Sequence, residues 1–261
     1  MKATQETANE LAEYADKLLG LISPEKIRKV KIERVDPALI KRYEALEDVT
    51  STVADILDEL GIDSAIPGHE ICSRSGGKMV GSAVTVRYVP ARIASGFNIA
   101  HQQPSAALGG SDIVTLSQAG DVLVIESNCD QAVSSFGGIM ATSVAAAGLA
   151  GLVVEGNVRD VANMRKLGLR VWSRGITPRT GKHRLELADF NGAVHIAGVQ
   201  IRPGDLILAD DDGIVVVPIA LAETVINRAE AAASSEGLLI DAIARGDSPS
   251  DVVKIVPSHK W

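Results

Sequence analysis

Between Val122 and Gly168 the chain alternates short apolar runs with helical segments, and this alternation restricts its fold more than any other feature. Val122–Ile125 (VLVI) follows the turn Ala119-Gly120-Asp121 and reads as a buried strand. A loop over 127–138 leads into an Ala-rich helix, IMATSVAAAG, that ends at Gly148. A second apolar run, Leu152–Glu155 (LVVE), precedes the turn Gly156-Asn157-Val158, then Arg159-Asp160 and a helix to Gly168. Strand, helix, strand, helix predicts two parallel strands joined by a right-handed crossover, and hence an α/β chain. The loops after both strands leave the sheet on one side, where ligands collect at strand carboxyl ends. Phe136-Gly137-Gly138 and Arg159-Asp160 are therefore expected to be neighbours, about twenty residues apart in sequence.

That crevice suits an anion. Glycines allow close backbone approach, and the N–H groups of the following helix's first turn can receive a carboxylate. Arg159 adds a planar fork of donors that grips a carboxylate at two points. Asp160 offers a hard oxygen ligand for Mg²⁺ or Mn²⁺, ions that keep several waters and use few protein carboxylates. A 2-oxo acid can chelate such a cation, which then stabilises a developing enolate. The same residues also have structural readings. Arg-Asp at a helix start can be an acid on the helix dipole beside a surface ion pair, and Gly-Gly can be a tight turn.

Other polar groups are weaker candidates. Asp210-Asp211-Asp212-Gly213 reads as a polar turn between strands 206–208 and 214–217. His101 and His183 stand alone, Lys166 sits among polar helix residues, and Cys129 has no activating base nearby in sequence. Cys72 and Cys129 form no CxxC pair, so neither a zinc site nor a disulfide framework is expected.

Around this unit, apolar spacing predicts a helix over 5–20, a charged irregular connector over 21–47 and a helix over 51–60 capped by Thr50 or Ser51. Strands are expected at 80–88 and 194–196, and a helical tail at 220–245. A core poor in aromatics (3%) and rich in small and branched side chains suits packed α/β layers. The net charge of −7 and the lack of a long basic run disfavour nucleic acid as a partner. The absence of a signal-like N-terminus or a long apolar run predicts a cytoplasmic chain with no membrane partner.

The segment GLAGLVVEGNVRDVANMRKLGLRVWSRGITPR (148–179) resembles the RraA-like family. VGSAVTVRYVP (80–90), AGDVLVIES (119–127), RPGDLILADDDGIVVVP (202–218) and DVTSTVADILDELG (48–61) extend the resemblance, in the right order. It implies a compact α/β/β domain over 48–218, with helical extensions at 1–47 and 219–261. It also implies a homotrimer or hexamer with sites between subunits, and a pyruvate pocket. Carried over, Arg159 would bind pyruvate, Asp160 would hold the metal, and the backbone of Gly137, Gly138, Ile139 and Met140 would line the pocket. The family contains class II 4-hydroxy-4-methyl-2-oxoglutarate aldolases and a regulator of ribonuclease E. The resemblance thus implies aldol cleavage or oxaloacetate decarboxylation, with a non-catalytic regulator of an RNA-degrading enzyme as the alternative. A methyltransferase reading lacks a glycine-rich nucleotide loop. In one respect the chain departs from the lyases, which carry an acidic residue, twenty residues, then Arg-Asp. Here that acidic position is Gly138.

Overall fold

The computed structural model describes residues 5–92, 96, 100, 101, 108–127 and 132–256. The N-terminal part holds α1 (Gln5–Ala12), α2 (Pro37–Ala45) and α3 (Val49–Glu59), then β1 (Ala65–Pro67), β2 (Cys72–Ser73) and β3 (Met79–Pro90). The middle runs α4 (Gly110–Thr115), β4 (Val122–Glu126), β5 (Ser134–Phe136), α5 (Gly138–Ala146), β6 (Gly151–Val158), α6 (Val161–Lys166) and β7 (Arg170–Ile176). It closes with β8 (Leu185–Phe190), β9 (Val194–Ile196), β10 (Val199–Ile201), β11 (Leu206–Ala209), β12 (Gly213–Val217), α7 (Ala222–Arg245) and α8 (Pro249–Ile255).

Among the described residues one sheet runs in the order β1-β12-β11-β3-β4-β6-β7-β2, with β5 beside β6 and β8 beside β3. The β3–β4–β6–β7 stretch is parallel, as the central alternation predicts, whereas β1, β12, β11 and β3 pair antiparallel. Period-2 side-chain alternation sorts each strand's apolar residues between two cores. Leu123, Ile125, Leu152 and Val154 face a core with Ala141, Val144 and Met164 of α5 and α6. Val122, Val124 and Val153 face Ile207, Ile214 and Val216 of β11 and β12, with Trp172 buried between. The other faces of β11 and β12 (Leu206, Leu208, Val215, Val217) pack on α2, α3 and α7. The expected α/β/β layering is present, with a second helical layer outside β11–β12.

Several local expectations need correction. The first helix stops at Ala12 instead of continuing to residue 20. Beyond it the N–H groups of Leu19, Leu21 and Ile22 are taken by the buried Asp112 carboxylate, which replaces helical carbonyls as acceptor. Residues 21–47 are no loose connector. Ile22, Ile27, Val30, Val35 and Tyr43 are all core residues, and the Asp36 side chain caps α2 at Ala38 N (2.7 Å). Thr50 does not cap α3 by itself; Asp210 reaches it from the β11–β12 turn, accepting from Thr50 N (3.1 Å) and Oγ1 (2.6 Å). The expected turn at Gly156-Asn157-Val158 is strand, because Asn157 and Val158 pair with Gly175 and Ile176 of β7 past a bulge. The tail bends at Gly246, in the left-handed conformation, and continues as α8.

Candidate functional site

The crevice at the carboxyl ends of β5 and β6 brings the expected residues together. Phe136 pairs with Val158, and Arg159 N–H donates to Phe136 O at 3.0 Å. Gly137 is thereby laid directly against Arg159. A Cβ on Gly137 would lie 2.8 Å from Arg159 Nε, so only glycine admits the guanidinium this close. Asp160 adopts a left-handed conformation (φ 61°). Few non-glycine residues enter that region, and aspartate is among those that do so most readily.

The structure alters the anion nest in one respect. Asp160 Oδ2 accepts the Gly138 N–H at 2.8 Å, so the chain's own carboxylate occupies the first donor of α5. The N–H groups of Ile139 and Met140 precede the first intrahelical bond, Ala141 N–H to Gly137 O, and remain for a ligand. Ile139's side chain is 86% exposed, whereas Met140 packs back toward Gly110 and the core. Met140 can therefore contribute only backbone to the crevice. Gly138 O accepts from Thr142 Oγ1 (2.9 Å) and Asn163 Nδ2 (3.3 Å). Asn163 had escaped sequence reading; its place one helical turn after Asp160 was the available signal.

Arg159 Nε lies 3.7 Å from Asp160 Oδ2, beyond hydrogen-bond range, with side chains 39% and 48% exposed. The two charges form a loose, half-exposed ion pair, and Asp160 Oδ2 is shared with the Gly138 N–H. Among the described residues no three His, Cys, Asp or Glu side chains converge on a cation position. Asp160 offers a charged oxygen ligand at this crevice. That donor set fits hydrated Mg²⁺ or Mn²⁺ completed by substrate oxygens, and does not fit a four-ligand zinc centre.

The other polar candidates are structural or remote. Asp210 holds α3, and Asp212 accepts from Ser51 Oγ (3.1 Å), so this turn is scaffold. Glu126 at the end of β4 and Glu155 within β6 are turned to the β9–β10 hairpin, where they accept from His195 N and Ala197 N. Lys166 is exposed at the end of α6. Cys72 is a free thiol, and Cys129 lies outside the described residues. Among the described residues no helix is long and apolar enough to cross a membrane.

Known proteins are similar to this chain over most of the span that holds the crevice. A family model described as RraA-like, Aldolase/RraA, matches residues 50–216. Protein DlpA of Legionella pneumophila is 29% identical over 76% of this chain, but the match spans only 31% of DlpA's length. A Halalkalibacterium halodurans protein named "Putative 4-hydroxy-4-methyl-2-oxoglutarate aldolase" is 31% identical, covering 69% of this chain and 78% of its own. The solved structure of Streptomyces coelicolor RraAS2, titled an unusual member of the RNase ES inhibitor RraA protein family, superposes with a TM-score of 0.67. It is 28% identical and covers 80% of this chain and 98% of its own. The matched span contains the β5–α5 loop, Arg159 and Asp160, and the layered fold is shared with solved relatives: the chain belongs to the RraA-like family.

Proposed function

We propose that this chain is a divalent-metal-dependent carbon–carbon lyase that acts on 2-oxo acids and releases pyruvate. The reaction is aldol cleavage of a 4-hydroxy-2-oxo diacid or decarboxylation of oxaloacetate. One observation carries the reading: a guanidinium with no side-chain hydrogen bond among the described residues, a half-exposed carboxylate at positive φ and the start of α5 meet at the carboxyl ends of parallel strands. The Arg159 fork would bind the substrate carboxylate at two points, fixing the 2-oxo group beside Asp160. The N–H groups of Ile139 and Met140 would receive the oxygen on which negative charge develops. Mg²⁺ or Mn²⁺ held by Asp160 would supply Lewis acidity at that oxygen. Binding it asks Asp160 to share or release its bond to Gly138, and the helix start must adjust with it.

Relatives named as aldolases support the lyase class. The likeness to RraAS2 favours a second reading, regulation of an RNase E-type enzyme without catalysis. The proposed assembly is a cytoplasmic homotrimer or hexamer. It rests on Ile139 beside the crevice and on Leu238, Ile240 and Ile243 of α7, apolar side chains left in solvent. Light scattering tests the assembly, and a stable monomer at micromolar concentration contradicts it. Pyruvate release coupled to lactate dehydrogenase, with and without Mg²⁺, tests the activity. Metal-stimulated release is expected. No release from either substrate class, with tight binding to an RNase E-type enzyme, would establish the second reading.

A further inference from the structure

Away from the Arg159–Asp160 crevice, a cavity of about 900 Å³ opens where the N-terminal segment meets β8. Its lining sets Arg28, Lys29, Lys31, Arg87 and Arg202 against Glu33, Asp189 and Asp205. Lys31 is spent on Glu13 outside the cavity (2.8 Å), which leaves four cations facing three carboxylates, a local positive excess in a chain whose net charge is −7.

The backbone fixes these cations in place. Arg28 N–H donates to Phe190 O (2.9 Å), and Asn191 Nδ2 donates to Lys29 O (3.1 Å). Arg87 faces Asp189 across the β3–β8 ladder, beside a bulge at Arg87/Tyr88. The buried Asp189 carboxylate accepts from both Arg28 and Arg87, and Asp205 accepts from the N–H groups of Arg202 and Ile219. Two of the three carboxylates are therefore committed inward. Two guanidiniums sharing one carboxylate keep a net positive charge and unspent N–H donors. Arg87 Nε is buried with no partner. Arg202 Nε has only Gln200 Oε1 (3.1 Å), and Lys29 has no side-chain partner among the described residues.

We propose that this cavity binds a small aliphatic dianion, a dicarboxylate or a phosphomonoester. Its volume is that of ordinary small-molecule sites. Ile32, Pro203, Pro218 and Ile219 supply apolar lining for the body of such a ligand, and among the described residues no aromatic side chain lines the cavity to stack a nucleobase.

Calorimetric titration of the full chain with succinate and, separately, with glycerol phosphate tests this, at ionic strength held constant with chloride. Saturable binding of one ligand per chain at this cavity is expected, counted in the Arg159→Ala variant, whose crevice lacks the carboxylate fork, and the tighter of the two probes assigns the anion as carboxylate or phosphate. The double variant K29Q/R202Q should bind about tenfold more weakly or worse. Its melting temperature should be unchanged, since neither side chain holds another element. Arg159→Ala should bind at this cavity as wild type does. The proposal is overturned if neither probe binds saturably, if K29Q/R202Q binds like wild type, or if Arg159→Ala abolishes the titration.

Discussion

Arg34 and Asp121 meet with the guanidinium fork flat on the carboxylate, Nε–Oδ1 at 2.8 Å and Nη2–Oδ2 at 2.9 Å, and Asp121 is buried. Asp121 also accepts Gln118 N–H at 2.7 Å. Arg159 and Asp160 are the same residue types, adjacent in sequence, yet they stand 3.7 Å apart and open to solvent. The first pair spends its donors and acceptors on itself and ties the N-terminal segment to the turn before β4. The second pairs only loosely, leaves its guanidinium without a side-chain hydrogen bond among the described residues and places its aspartate in the left-handed region. The contrast separates a buried, fully paired scaffold contact from a loose, half-exposed pair at strand ends, which is the pair proposed to bind substrate and metal.

The largest expected effect lies in the scaffold pair. Asp121→Ala leaves Arg34 partly buried without its partner and should cost about 3–5 kcal/mol of stability. Asp160→Ala should cost about 1 kcal/mol or less, because the lost Gly138 contact concerns an exposed helix start. Urea unfolding of both variants measures the difference, and equal losses would break the distinction.

Next comes Asp160→Asn. Asparagine tolerates the left-handed conformation and its oxygen can still accept the Gly138 N–H, so the unfolding midpoint should hold. Mg²⁺ stimulation of pyruvate release should vanish, since only the charge is removed. Full metal response in the Asn variant would take Asp160 out of the mechanism.

The smallest effect concerns Gly138, which stands where resembling lyases carry an acid. With no base there to take a substrate hydroxyl proton, oxaloacetate should turn over faster than a 4-hydroxy-2-oxo diacid. Gly138 is not among the residues at positive φ, so a side chain meets no backbone penalty. Its Cβ would sit 3.2 Å from Asp160 Cβ and Oδ2 and 3.3 Å from Asn163 Nδ2. Gly138→Asp should therefore cost about 1 kcal/mol while raising aldol cleavage relative to decarboxylation. Assaying both activities after a melting-temperature check decides it. A wild type that cleaves the aldol substrate faster shows that the base comes from elsewhere.

The central strands and helices were legible because their apolar runs are buried on both faces and punctuated by glycine. For the same reason the neighbourhood of Gly137 and Arg159 followed from parallel topology. Less legible were β1, β2, β5 and β10, with two or three residues each, whose pairing is set by distant partners and not by their own pattern. The N-terminal segment misled because its charges mask single apolar anchors, and Asp112, its acceptor, lies about ninety residues away. At the site, residue identity predicted which groups meet. That Asp160 would turn back to cap α5 depended on its left-handed backbone, which no spacing reveals.

The account rests on Arg159 acting through its fork and not merely its charge. The direct measurement is kcat/KM for oxaloacetate-derived pyruvate in wild type, Arg159→Lys and Arg159→Ala, with stability matched by unfolding. Lysine keeps the positive charge but cannot grip a carboxylate at two points. Both variants should fall together, by about 2–4 kcal/mol of transition-state stabilisation. A lysine variant as active as wild type contradicts bidentate anchoring, and an alanine variant that loses less than about 1 kcal/mol places the site elsewhere.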